Sequence, residues 1–396
     1  MGNIWLRRQA QIPDPLRVSR YRKAPDLGPH VLFFSGGSAI NGMSKTLKEY
    51  THNSIHLVTT FDSGGSSAKL RKAFNMPAIG DLRSRLMALA DETLSGHPEI
   101  IALFNYRLSE SLPQMALRHE LEQLVSGASP QVQGIANPMR SLILELLRCF
   151  ARAMPAEFDL RGASIGNLIL AGGYLQTGRK LDQILFLFSK LVHVQGTVRA
   201  IEESSLHLCA QLESGEQVCS QHRITGKEVV PLTTPIKSLA LSAHPDRLDP
   251  VHIELSESNR QLIQQAELIC YPPGSFFTSL LANFLPEGVG PCIRRSQAHK
   301  VYIPNQGTDP EQLGMTTMES IRKILAALGW HQADCPAGEF LNIVLVDLKN
   351  GRYSGEINAD ELAEMGIQLL DIPLITRGSA PYYDQEKLVG ALLSLI

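Results

Sequence analysis

Asp62-Ser63-Gly64-Gly65-Ser66-Ser67 sets a carboxylate, two glycines and three hydroxyls side by side. Glycine accepts positive φ and lets backbone N–H groups approach an oxyanion closely. Successive N–H groups in a turn form an anion-binding concavity. The chemistry that suits this combination is phosphate binding, with Ser63, Gly64, Gly65 and Ser66 as candidate contacts. Asp62 is the candidate catalytic residue and metal ligand: it can hold a Mg²⁺ that bridges phosphate oxygens or take a proton from an attacking hydroxyl. Asp62 and Ser63 can equally form an Asx-type turn with no chemical role.

A second glycine loop, Ser35-Gly36-Gly37-Ser38-Ala39-Ile40-Asn41-Gly42, follows an apolar run and opens a helix-like segment, where a nucleotide phosphate meets a helix N-terminus. Gly36, Gly37, Ser38 and Asn41 are its candidate contacts. The Gly37-to-Gly42 spacing imitates a Walker A loop, but Met43 stands in the lysine position, so an ATPase is not expected. No G-x-G-x-x-G fingerprint is present, and neither a nicotinamide nor a flavin cofactor is expected. Ser66-x-x-Lys69 has the form of a β-lactamase motif without its companions.

Gly80-Asp81-Leu82-Arg83 begins a helix with apolar positions at Leu82, Leu86 and Leu89. Asp81 is placed either to cap that helix or to touch a ligand. Arg83 and Arg85 point to different faces, so at most one should meet a phosphate. Gly166-Asn167 opens another helix. Pro273-Gly274-Ser275 leads to Thr278 after an apolar run and forms a further candidate phosphate loop, with Gly274, Ser275 and Thr278 as contacts. The twelve histidines are scattered and make no zinc motif.

These loops need strands to carry them. Apolar runs at 31–34 and 55–61, each followed by a glycine loop and a helical pattern, predict a parallel sheet with crossover helices. Residues 92–158 show only helical spacing and predict a helical insertion. A helix opening at Ser164, another over 180–191 and a hairpin over 206–212 and 217–222 follow. Residues 225–250 read as a polar, proline-punctuated connection. The last third returns to α/β alternation, with strands at 251–255, 268–271, 301–304 and 340–346. Its helices are expected over 258–267, from Ser275, over 316–328 and after Asp384. Residues 1–28, with Arg7, Arg8, Arg17, Arg20, Arg22 and Lys23 broken by prolines, read as a basic mobile arm before one α/β nucleotide-binding domain over 29–396.

At 396 residues and 44% hydrophobic content the chain can bury a sizeable core, and its net charge of −2 gives no field to attract nucleic acid or an anionic membrane. The six cysteines form no C-x-x-C pair and read as buried reduced thiols. No apolar run reaches the roughly 18 residues of a membrane span. The N-terminal residues fit neither a secretory signal nor, with Leu6 in the serine position, a myristoylation site. A cytoplasmic protein is expected.

In order, the motifs are SGGSA at Ser35, DSGGSSAKLR at Asp62, PAIGDLR at Pro77, LRGASIGNL at Leu160, PPGSFFTS at Pro272 and KVYIPN at Lys300. Together they resemble the 2-phospho-L-lactate transferase (CofD-like) superfamily, and within it the gluconeogenesis factor (YvcK-like) branch, over roughly residues 30 to 330. The resemblance implies a Rossmann-like α/β fold, a mostly parallel sheet with flanking helices, holding a nucleoside diphosphate conjugate at its strand ends. It also implies Asn305, in the last motif, as a nucleotide contact, and a homo-oligomer is expected. In the regulatory branch the site would bind a UDP-sugar or similar compound and serve carbon or cell-envelope metabolism. In the transferase branch, Mg²⁺ would assist transfer of a phospho-substituted group to an acceptor hydroxyl. Ser63 stands where the resemblance implies a second acidic residue, which favours binding over catalysis. Ser35 and Ala39 replace glycines of the first loop, and Pro272 stands where glycine usually precedes proline.

Overall fold

The protein, as a computed structural model, is described over residues 11–93, 96–226, 230–331 and 335–396. Its centre is a seven-stranded sheet in which every neighbouring pair is parallel. The strands are β1 (Val31–Ser35), β2 (Ile55–Val58), β3 (Thr197–Ala200), β7 (Leu268–Tyr271), β8 (His299–Tyr302), β9 (Ile343–Val346) and β10 (Gln368–Asp371). A second, antiparallel sheet holds β4 (His207–Leu212), β5 (Gln217–Cys219) and β6 (Ile236–Ser242) in the order β5-β4-β6. The large sheet runs β10-β9-β8-β7-β1-β2-β3.

Side chains alternate across a strand, and here both faces are covered. Leu32 and Phe34 enter one apolar core while Val31 and Phe33 enter another. Burial on both sides explains why β7 and the first four residues of β1 read as unbroken apolar runs and why β2 is interrupted only by the buried His56. The second sheet packs Leu208, Ala210 and Leu241 into the first of these cores. A third core is helical: the helices Pro98–Asn105, Gln114–Ser126, Met139–Ala153, Ile165–Gln176 and Leu181–Leu191 pack together, with Phe104 stacked on Phe188 at 4.5 Å.

Several expectations need correction. The connection at 225–250 contains β6, whose partner β4 satisfies its backbone groups despite the flanking prolines. Residues 251–255 form no strand and make one isolated bridge, Glu254 to Glu287. Cys209 and Cys219 are bonded to each other rather than reduced, because they stand directly opposite in the β4–β5 ladder. Within the basic segment, Pro15–Lys23 forms a helix after Asp14, whose N–H donates to Ser394 Oγ at 2.8 Å, and Val18 and Tyr21 pack on the core. Arg7 and Arg8 lie outside the described residues.

Candidate ligand crevice at the switch point

The chain proceeds from β1 to β2 on one side and from β7 to β8 on the other, although β1 and β7 are neighbours. Their exit loops therefore diverge and leave a crevice at the carboxyl ends of the strands. The crevice has a volume of about 410 Å³. Gly36, Gly37 and Ser38 line one wall, Gly274 and Ser275 a second, and Asn305 with Asp309 a third.

The loop after β1 is shaped from beneath by Arg85, which is fully buried. Its guanidinium donates to Gly37 O at 3.1 Å, to Gly36 O at 3.5 Å and to Ser44 Oγ at 2.7 Å. In a planar trans peptide the C=O and N–H point in opposite directions. Carbonyls drawn inward by Arg85 therefore turn the N–H groups of Gly37 and Ser38 away from it. Gly36 must be glycine, since a Cβ there would lie 2.5 Å from Ser279 Oγ. Asn41 is held by the Gly80–Leu89 helix, donating to Ser84 Oγ at 2.8 Å.

In the loop after β2, Asp62 Oδ1 accepts the Gly64 N–H at 3.0 Å, which is the Asx turn. The other oxygen, Oδ2, faces a meeting point of three segments: a Cβ on Gly80 would lie 3.7 Å from it, 3.9 Å from Asn167 Nδ2 and 2.6 Å from Ser67 Oγ. Asn167 Nδ2 also reaches Ser66 Oγ at 3.4 Å. Arg83 orients that amide by donating to Asn167 Oδ1 at 2.9 Å, while Gly166 packs closely against Phe104 O. Asp81 does not cap its helix; the helix begins at Gly80, and Asp81 turns toward Gly37, where a Cβ would lie 3.6 Å from Oδ1. Ser63 Oγ accepts the backbone N–H of His222 at 3.0 Å and lies 2.8 Å from its Nδ1.

Helix ends differ in how they are capped. The helices beginning at Pro15, Glu257, Thr317, Ala359 and Gln385 are capped by the side chains of Asp14, Ser256, Thr316, Asn358 and Asp384. Those that meet beside Asp62, Gly65–Phe74, Gly80–Leu89 and Ile165–Gln176, have no side-chain cap, and neither do helices away from it such as Gln114–Ser126, Met139–Ala153 and Leu181–Leu191. Uncapped first-turn N–H groups and the positive end of the helix dipole favour an anion. Burial pulls the pKa of Arg71, Arg83 and Arg85 down to about 10, which leaves all three charged at neutral pH.

The loop after β7 is closed by the segment that follows β8. Gly274 N–H donates to Asn305 Oδ1 at 2.7 Å, Phe276 N–H to Asp309 Oδ2 at 2.8 Å, and the N–H groups of Phe277 and Thr278 to Glu311 Oε2 at 2.8 Å. The Thr278 hydroxyl donates to Glu311 Oε1 at 2.6 Å. The segment starting at Ser275 is a wide π turn, Phe276–Leu280, not the α-helix expected.

The structure thus brings Asp62, Ser66, Gly80 and Asn167 together, sets Gly36, Gly37, Ser38, Gly274, Ser275 and Asn305 around the crevice, and buries Thr278 behind it. Sequence reasoning missed Arg85 as a loop support, and missed His222, Asp309, Glu311 and Tyr382. The acidic pair flanking Pro310 after β8 was the one available signal. Among the described residues no group of three or more His, Cys, Asp or Glu side chains forms a metal cage, and no helix is long and apolar enough to cross a membrane.

A doubly wound parallel sheet with glycine-bearing loops at its switch point defines a Rossmann-like α/β protein. The chain belongs to the CofD family: the profile described as 2-phospho-L-lactate transferase CofD matches residues 31–375. It is 26% identical over 383 residues to the gluconeogenesis factor of Bacillus subtilis, covering 93% of this chain and 98% of that one. It is 30% identical over 308 residues to a putative gluconeogenesis factor of a Nostoc species, covering 77% of this chain but 53% of the relative's length. The crystal structure of a UPF0052 family member from Bacillus halodurans superposes with a TM-score of 0.67 at 22% identity, over 92% of this chain and 99% of that one.

Proposed function

We propose that this chain binds a nucleoside diphosphate conjugate, a UDP-sugar or a related compound, at the switch-point crevice and acts by binding rather than by turnover, in the regulation of carbon or cell-envelope metabolism. The observation that carries the reading is the crevice itself, bordered by the Arg85-supported glycine loop and adjoining three uncapped helix N-termini. The names of the relatives, gluconeogenesis factors, support a regulatory role. The pyrophosphate would lie against Gly37 and Ser38 and extend toward Gly65, Ser66 and Asn167. Asp62 fits a Mg²⁺ site of the kind completed by ligand phosphates, since that ion usually takes only one or two protein carboxylates and keeps several waters; it would neutralise phosphate charge.

A transferase reading draws support from one contact. Ser63 replaces a carboxylate and is a poor base near neutral pH, but its hydroxyl lies 2.8 Å from His222 Nδ1, a nitrogen able to accept its proton. Calorimetry with UDP, UMP, GDP and GMP, followed by product analysis of a UDP-sugar incubated with Mg²⁺, tests both readings. Tighter binding of diphosphates without consumption of the sugar conjugate is expected. Equal affinity for diphosphates and monophosphates would remove the binding proposal, and acceptor-dependent release of UMP or GMP would establish the transferase.

A further inference from the structure

The family profile ends at residue 375, yet residues beyond it complete the crevice. Tyr382 borders both the 410 Å³ crevice and an adjoining pocket of about 420 Å³. That second pocket has an apolar floor of Ile40, Met43 and Leu388, and Gln385 on its wall. We propose that Tyr382 and Gln385 form a subsite for the planar heteroaromatic base of the conjugate, an inference that rests on the nucleotide reading above.

The backbone on either side of Tyr382 is fixed. Tyr383 is buried; its hydroxyl donates to Pro304 O at 2.9 Å and accepts from Gln306 Nε2 at 2.8 Å. Asp384 N–H donates to Leu374 O at 2.8 Å, and the Asp384 carboxylate caps the last helix. Tyr382 N–H donates to Ser379 O at 2.8 Å. Between these anchors the Tyr382 side chain stays 65% exposed. A large aromatic carried on an anchored backbone at a cavity rim, and contributing little to the core, offers a face on which a base can stack. The floor of Ile40, Met43 and Leu388 suits a ring better than a sugar, which asks for several hydrogen bonds. Gln385 leans on the start of the Asn41–Leu47 helix, 3.4 Å from the position of a Cβ on Gly42; its Nε2 donates to Tyr383 O at 3.4 Å, and the second N–H and the Oε1 of the amide can read a base edge. The β1 loop separates this pocket from the Asp62 cluster, so the ring lies on one side of the phosphates and Asp62 on the other.

Calorimetry on the full chain with UDP, GDP and inorganic pyrophosphate tests the assignment, using Tyr382→Ala and Tyr382→Phe alongside the unaltered protein and a thermal melt of each. Tyr382→Ala should weaken the better nucleoside diphosphate about tenfold and pyrophosphate no more than about twofold. Tyr382→Phe, which keeps the ring, should retain most of the nucleotide affinity. Gln385→Leu should narrow the difference between UDP and GDP. Unchanged nucleotide affinity in Tyr382→Ala, or an equal loss for nucleotide and pyrophosphate, overturns the ring subsite and leaves the nucleotide reading standing. An unaltered protein that binds pyrophosphate as tightly as UDP and GDP overturns the subsite alone, and one that binds none of the three overturns both.

Discussion

The loops after β1 and β7 are neighbours in space and look alike in sequence, each a glycine-bearing turn between a buried strand and a helical segment. Their backbones are used in opposite ways. Beneath the β1 loop a buried cation, Arg85, takes the carbonyls and turns the N–H groups outward. At the β7 loop two of the chain's own anions, Asp309 and Glu311, take the N–H groups of Phe276, Phe277 and Thr278. On the proposed reading the β1 loop would take a ligand's anion beside Asp81, whose Oδ1 lies 3.6 Å from the position of a Cβ on Gly37, whereas the N–H groups of the β7 loop are already taken by Asp309 and Glu311.

Removing the support of the open loop should have the largest effect. Arg85→Met leaves the Gly36 and Gly37 carbonyls and Ser44 without their charged donor inside the core. A loss of roughly 2–4 kcal/mol of stability is expected, because buried carbonyls lose their donor, with pyrophosphate affinity down by at least about tenfold, read by denaturant melts and calorimetry. Affinity equal to the unaltered protein would show that the β1 loop keeps its shape unaided. Gly36→Ala drives a methyl to 2.5 Å from Ser279 Oγ; overpacking should cost about 2 kcal/mol and displace the amides, so binding and stability should fall together.

The closed loop is best probed through pH. Burial first, and then Asp309, raise the Glu311 pKa from 4.5 to about 7. The folded chain thus binds this proton more tightly than the unfolded one. The resulting stabilisation is complete below the unfolded value and is lost as pH climbs through about 7. Glu311→Gln should reduce the drop in stability across that interval by about 2 kcal/mol. An identical pH profile in the variant would show that Glu311 is ionised throughout. The smallest effect is expected at Thr278→Val, which deletes one hydrogen bond to Glu311. It should cost about 1 kcal/mol and shift pyrophosphate affinity less than Gly36→Ala does; a larger shift would mean that the closed loop opens to ligand.

The large sheet was legible because its strands are buried on both faces, so β1, β2 and β7 stand out as apolar runs between glycine turns. β6 escaped because its residues, Ile236–Ser242, follow Pro231 and Pro235 and pair with a strand about 30 positions earlier. The Cys209–Cys219 bond escaped for a related reason: ladder register, not spacing, makes them opposite. At the site, residue type revealed the Asp62 and Gly36 loops, since positive φ and close approach leave a composition signature. Arg85 left none, because a buried arginine beneath a loop looks like any other helix residue. The partners of Phe277 and Thr278 lie more than 30 positions onward and meet them only through the β7–β8 pairing.

Because β1 and β7 are joined rung by rung, Val31 with Leu268 through Phe33 with Cys270, the crevice stands over the middle of one continuous sheet. Asn283 stitches the same seam, donating to Ser35 O at 3.0 Å. Walls built on one sheet have no hinge between them, so capture does not wait for two lobes to swing shut. On the proposed reading recognition would work by lock and key: association should be a single kinetic step whose rate rises in proportion to ligand concentration, and discrimination among ligands should reside in how long each one stays.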